Sequence, residues 1–366
     1  MSPTPALSPS APRPPWYARP AARTWTCDPA PAGVQDFHAS LSDYAPTPLT
    51  ELPALAAELG VGRVFVKDES SRLGLPAFKA LGASWAVHRV LARRPAGARL
   101  RLVTATDGNH GRAVARVARL LGQRAHVFVP QGVHPAAAAA IADEGAAVTR
   151  VAGSYDEAVR QAADAADAAD AVLVQDTAWP GYEQIPGWIV EGYSTLFTEV
   201  DAQLAAAGTE LPDLVAVPVG VGSLAQAAVT HYRSRPAGPA LLSVEPQAAP
   251  CVLTSLTQQK PVTVPTTATT MAGLNCGSPS SVAWPFLRDG LDAAVAVTDE
   301  DSAAAARDLA ALGVASGPCG AASLAGVRAA LTGDGGPARR TVLALTPTAT
   351  LVLLSTEGPA ANPHRL

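Results

Sequence analysis

The chain has 366 residues, 48% of them hydrophobic, with a mean hydropathy of +0.16, which is enough apolar material for one large domain or two smaller ones. A formal net charge of -4, with no run of about five or six like charges, leaves neither nucleic acid nor an anionic membrane as an expected partner and favours a small polar ligand. No uninterrupted apolar stretch of about 18 residues occurs, and the opening "MSPTPALSPSAPRPPW" lacks the cationic start and apolar centre of a secretion signal, so a cytoplasmic protein is expected.

In chain order, residues 1 to 35 are rich in Pro, Ala and Ser and read as a flexible arm. Short β-branched runs then alternate with helical patterns. "RVFVK" (63–67), "RLVTAT" (101–106), "AHVFVP" (125–130), "AVTRVA" (147–152), "AVLVQD" (171–176), "LVAVPV" (214–219), "LLSVEP" (241–246), "AAVAVT" (293–298) and "TVLALT" (341–346) read as strands. Between most of them lie segments with apolar residues at helical spacing: Asn109 to Leu121, Ser154 to Ala169, Asp299 to Leu312 and Gly320 to Leu331. Alternation of this kind implies an α/β protein with mostly parallel sheets covered on both faces, and groups that act on a ligand should gather where strands end. The alanine-rich segments need reflect only good helix formers. Cys27, Cys251, Cys276 and Cys319 are scattered, with no C-x-x-C and no His/Cys cluster, so free thiols and no metal site are expected. Whether Cys251 and Cys276 pair stays open.

Three strand ends carry unusual chemistry: "DGNHG" (107–111), "GVGSLA" (220–225) and "SGPCGAAS" (316–323) are small-residue turns opening helices, where free N–H groups and the helix dipole favour an anion. "GVGS" suits a phosphate, although a G-x-G turn that merely packs a helix on a sheet is the plain alternative; it is neither a dinucleotide fingerprint nor a Walker loop. Lys79, behind Phe78 in "KDESSRLGLPAFKALG" (67–82), stands at the entrance to an apolar helix. A lysine in such a setting loses solvation and can form a Schiff base with an aldehyde. An aldehyde cofactor bearing a phosphate is pyridoxal 5'-phosphate (PLP).

"KDESSRLGLPAFKALGASWA", "TDGNHGRAVA", "QDTAWPGYEQIPGWIVEGYSTL", "GVGSLAQA", "MAGLNCGSPS", "SGPCGAAS" and "LLSTEG" together resemble the diaminopropionate ammonia-lyase family, from about Phe37 to Gly358. The resemblance implies fold type II, the tryptophan synthase β-like PLP fold: α/β, with two open twisted, mostly parallel sheets and flanking helices. It also implies a large PLP-binding domain over 36–84 and 180–366, a small α/β domain over 85–179, and a homodimer.

Position by position, the resemblance makes Lys79 the lysine that holds PLP, Phe78 the ring against the pyridine, Asn109 the partner of the 3'-oxygen, and Gly220, Val221, Gly222 and Ser223 the phosphate cradle. Cys319 would face the pyridine nitrogen as a neutral thiol, or simply fill space. Asp107 stands in "TDGNHG" where the hydroxy-amino-acid dehydratases carry a hydroxyl. It would meet a second ammonium of the substrate or act as a base at Cα; its plain use is a helix N-cap. Asp176 is the second candidate carboxylate, with a turn cap as its plain use. His110 reads as an orienting or packing residue, and Tyr182 and Glu191 receive no chemical task. Pro76 and Ser278 depart from the residues common at those positions. The activity implied is PLP-dependent α,β-elimination of the amino acid 2,3-diaminopropionate to pyruvate and ammonia. The alternatives are a serine/threonine dehydratase-like or β-replacement enzyme, or a binding protein that keeps the fold without turnover.

Overall fold

The computed structural model describes residues 15–106 and 108–361. Its strands are β1 (Trp16–Ala18), β2 (Leu49–Glu51), β3 (Arg63–Asp68), β4 (Arg101–Ala105), β5 (Arg124–Pro130), β6 (Ala147–Val151), β7 (Ala171–Leu173), β8 (Leu214–Pro218), β9 (Ala240–Pro246), β10 (Ala293–Val297) and β11 (Thr350–Ser355). They form two sheets. The larger runs β1-β10-β9-β8-β11-β3-β2, parallel except for its two edge strands; the smaller runs β6-β5-β4-β7 and is parallel throughout.

Parallel strands need crossovers that place helices on both faces, and the burial follows from that. Every residue of β8, β9, β10 and β11 is buried. Alternate residues feed separate cores: Val352 and Leu354 of β11 join one cluster with Val215 and Val217, while Leu351 and Leu353 join the other with Leu214 and Ala216. The first cluster continues through the helix Lys79–Leu91 and the helix Asn109–Leu120 to Leu102 and Val127 of the small sheet, so one apolar body joins the two sheets.

Eight of the nine expected strands are present. The ninth, "TVLALT", is instead the end of the helix Gly336–Leu343, opened by Pro337 and closed by Ala344 at φ 55°. A short apolar run has the same pattern as a strand or as a buried helical turn. The central strand β11 lies just beyond it, in "TLVLLS".

Part of the segment expected to be a loose arm is docked. Residues 1–14 lie outside the described residues, but β1 pairs antiparallel with β10, Arg19 N donates to Asp292 O (2.6 Å), and Arg23 Nε donates to Asp292 Oδ1 (2.7 Å). A three-residue edge strand is too short for periodicity to reveal, and its partner is nearly 280 residues away.

The carboxyl ends of β3, β4, β7, β8 and β11 lead into segments that contribute residues 77–79, 106, 108–110, 176–177, 219–223 and 356–357 to the site. No disulfide joins any of the four cysteines. Among the described residues no helix is long and apolar enough to cross a membrane, and no cluster of His, Cys, Asp or Glu could hold a metal ion.

Candidate active site

The strand ends enclose a cavity of about 620 Å³. Phe78, Lys79, Asn109, Asp176, Gly220, Val221, Gly222, Ser223 and Cys319 all line it; Asp107 lies outside the described residues.

Lys79 is the first residue of its helix, where a cation meets the positive end of the helix dipole, so local preference does not explain it. Packing does. The helix Lys79–Leu91 crosses the helix Gln184–Ala206 at two facing glycines: a Cβ on Gly82 would lie 2.6 Å from Tyr193 Cε1, and one on Gly192 would lie 2.5 Å from Leu81 O. This close approach brings Tyr193 to the cavity wall beside Lys79 and Phe78, whose ring centroid is 4.8 Å from that of Tyr193. Ahead of Lys79 the chain is held by Phe78 N donating to Thr356 O (3.2 Å) and by Gly358 N donating to Pro76 O (2.9 Å), which clamp the Pro76 turn onto the end of β11.

Further back, a fully buried ion cluster anchors the same segment. Arg72 donates to Glu69 Oε1 and Glu199 Oε1 (2.7 Å each), Lys67 Nζ donates to Glu199 Oε2 (2.6 Å), and Thr47 Oγ1 donates to Glu69 Oε1 (2.6 Å). Buried charges require such mutual satisfaction.

Within the cavity Lys79 Nζ donates to Asp176 Oδ2 at 2.6 Å. Burial pulls the lysine pKa down, but the Asp176 carboxylate and, more weakly, Tyr193 and Cys276 outweigh it and hold the ammonium above its ordinary value. Burial pushes Asp176 upward, and His110 and Lys79 reverse this, leaving it well below the usual carboxylate range. His110 Nε2 is 2.8 Å from Val174 O and Nδ1 is 3.7 Å from Asp176 Oδ2; burial lowers the pKa of the ring, so a neutral imidazole donates from Nε2 and orients the strand end that carries Asp176.

On the opposite side, Glu357 accepts from Asn109 Nδ2 (2.7 Å) and from Cys319 N (3.2 Å). Burial raises the pKa of both the Glu357 carboxyl and the Cys319 thiol, so the thiol stays protonated at neutral pH. At the glycine turn, Gly222 has φ 102°, and a Cβ there would lie 2.5 Å from Leu287 Cδ1. The helix Ser223–Arg233 starts immediately after it, and its first N–H groups have no partner within the helix. A cavity with a lysine amine on one wall, a side-chain-free turn at a helix N-terminus on another, and a neutral thiol facing inward fits a phosphorylated pyridine aldehyde.

Sequence reasoning missed that Tyr193 and Glu357 line the cavity. Glu357 lies inside the quoted "LLSTEG", but nothing there signals that it meets Asn109. Glu191, also in a quoted stretch, lies off the cavity, accepting from Trp85 Nε1 (2.8 Å) and Arg89 Nη1 (2.9 Å). Tyr182 bonds the strand end before Asp176.

The pyridoxal-phosphate dependent enzyme family matches residues 41–346. The diaminopropionate ammonia-lyase of Salmonella typhimurium is 40% identical over 290 residues, covering 73% of this chain and 72% of that protein. This chain belongs to the diaminopropionate ammonia-lyase family. The Escherichia coli K12 member is 35% identical over 360 residues, covering 90% and 89% of the two chains. A crystal structure of diaminopropionate ammonia lyase from Escherichia coli in complex with an aminoacrylate-PLP azomethine reaction intermediate superposes with a TM-score of 0.83, at 33% identity, covering 91% of this chain and 89% of that one. The family therefore brings fold type II and PLP dependence, in agreement with the two parallel sheets and with the lysine and glycine turn of the cavity.

Proposed function

We propose that the protein catalyses the α,β-elimination of 2,3-diaminopropionate to pyruvate and ammonia, with PLP held by Lys79, Phe78, Asn109, Cys319 and the 220–223 turn. The observation that carries this reading is the Asp176 carboxylate 2.6 Å from the Lys79 amine inside the cavity, because a substrate with a second ammonium needs an anion where it leaves water. PLP bound there supplies the electron sink that makes a Cα proton removable.

The chain's residues do the rest. Lys79, which would hold the cofactor aldehyde, has its amine beside Asp176 and could take or return a proton there. Asp176 and Asp107 are the carboxylates that would share recognition of the β-ammonium and proton transfer at Cα and at the departing amine. Asn109, the glycine turn and the Cys319 thiol orient the ring, and the inserted domain over 85–179, which carries Asp107, Asn109 and Asp176, closes on the larger one over 36–84 and 180–366. A cytoplasmic homodimer is part of the same proposal.

Steady-state assays with 2,3-diaminopropionate, serine and threonine test it. Pyruvate and ammonia should form fastest from the diamine; pyruvate from serine alone would point to a dehydratase, and a visible absorbance band that shifts with amino acid but yields no product would point to a binding protein.

A further inference from the structure

Asp176 stands where β7 leaves its sheet, and the residue before it carries out that departure. The β7–β4 register covers only Ala171↔Arg101, Val172↔Leu102 and Leu173↔Val103, followed by Val174 N donating to Val103 O at 2.7 Å. There the backbone ladder stops. The next donors on β4 are taken by a side chain: Gln175 Oε1 accepts from Ala105 N (3.1 Å) and from Thr104 Oγ1 (2.9 Å). Gln175 Nε2 donates to Tyr155 Oη (2.7 Å) at the first residue of the helix Tyr155–Ala166, and Gln175 N donates to Tyr182 Oη (2.8 Å), which in turn donates to Leu173 O (2.9 Å). Gln175, Thr104 and Ala105 are wholly buried.

A backbone that continued the ladder would keep residue 176 in the sheet plane. By substituting its amide for the backbone, Gln175 lets the chain turn away with β4 still satisfied, and opens the gap into which His110 reaches Val174 O. The same amide pins Thr104 and Ala105, two residues before the position of the other proposed carboxylate, Asp107.

We propose that Gln175 is a positioning residue: its side-chain amide replaces the missing rung between β7 and β4 and thereby sets the place of the Asp176 carboxylate against Lys79. This rests on the catalytic reading of Asp176 given above. Among the described residues, the titratable groups facing or flanking the Lys79 ammonium are Asp176, Tyr193, Cys276, Glu357 and Cys319, with His110 behind Asp176. Among the described residues Asp176 is the one in hydrogen-bond contact, so a displaced carboxylate should release the lysine proton at lower pH.

The test compares Gln175→Leu, of similar size but without polar atoms, with Gln175→Glu, which keeps the acceptor for Thr104 and Ala105 and can accept from Tyr155. In the cofactor-free full chain, acylation of Lys79 by an amine-reactive reagent is followed against pH by mass spectrometry. A drop of one pKa unit makes labelling about tenfold faster below the pKa, and that is expected for Gln175→Leu, while Gln175→Glu should label no faster than the parent. In the PLP-loaded enzyme kcat should fall about tenfold or more in Gln175→Leu, with KM changed less than about threefold, and recover in Gln175→Glu. Should Gln175→Leu fail to fold, Tyr182→Phe, which removes the hydroxyl joining Gln175 N to Leu173 O, should shift labelling in the same direction. Labelling of Gln175→Leu at the parental rate, or identical behaviour of the two Gln175 variants, would overturn the proposal. Faster Lys79 labelling in a protein whose parent does not turn over diaminopropionate would sustain the positioning role and sink the proposed activity.

Discussion

Two lysine–carboxylate pairs in this molecule share one distance and differ in what they can do. Lys67 and Glu199 meet at 2.6 Å, as do Lys79 and Asp176. The first pair is 0% and 1% exposed, and all three Lys67 protons have partners: Thr47 O, Glu199 Oε2 and Gln203 Oε1. The second is 22% and 12% exposed toward a cavity, and among the described residues Lys79 donates to Asp176 alone. Burial drags the Lys67 pKa down despite Glu69 and Glu199, whereas Asp176 carries that of Lys79 up. A charge pair with every valence filled is a fixture of the fold; one with spare valences beside open volume is available for chemistry.

Substitutions should separate the two pairs sharply. Lys79→Ala is expected to abolish the visible absorbance of bound PLP and to lower turnover by about a thousandfold or more, roughly 4 kcal/mol of barrier, while the melting temperature stays within a few degrees; retained absorbance would contradict the assignment. Glu199→Leu should do the reverse. It leaves the buried Lys67 ammonium without its carboxylate partner and Arg72 with Glu69 alone, which costs about 3–5 kcal/mol, seen as a large loss in denaturant midpoint, while the protein that remains folded in the cold still binds PLP.

The effect of pH sharpens the contrast. Asp176 has a depressed pKa when folded, so its contribution is complete above the unfolded value of about 3.9 and is lost as pH falls through the folded one. Lys79 has a raised pKa, so its contribution is complete below about 10.4 and is lost as pH rises through the folded value. Asp176→Asn in the cofactor-free chain should therefore lower stability by a constant amount between about pH 4 and 10, on the order of 1 kcal/mol for a pair open to solvent. Melting curves of variant and parent should converge in stronger acid; a gap that widens there would contradict the coupling. Smallest of all, Glu191→Ala removes an acceptor for Trp85 and Arg89 outside the cavity. A change of no more than about 1 kcal/mol in stability, with unaltered kcat, is expected in paired thermal and kinetic assays.

The parts of the site legible in the sequence were those carried by turn chemistry and by contiguous motifs. Lys79 next to Phe78, Asn109 after its glycine and the 220–223 turn each occupy one short stretch, and each lines the cavity. The less legible parts depend on pairs far apart in the chain. Nothing local to Glu357 announces Asn109, 248 residues away, and nothing in "VEGYST" announces that Tyr193 would face Lys79 through two opposed glycines. The fold shows the same division. Long amphipathic helices such as Asn109–Leu120 and Asp299–Ala311 ended within about a residue of their sequence reading, whereas β1, β2 and the central β11 were missed and "TVLALT" proved helical.

By itself the amino-acid sequence determined the class of architecture and the order of the motifs that line the cavity, because hydrophobic period, glycine turns and helix starts are properties of neighbouring residues. Tertiary structure alone decided which carboxylate meets Lys79, which lysine is sealed by three acceptors and which faces a cavity, and where a glutamine takes over from the backbone at the end of β7. Those outcomes are set by packing and by the burial of charge between segments distant in the chain, and a lysine one residue before a strand end and one at a helix start carry the same side chain until the folded surroundings assign their protons.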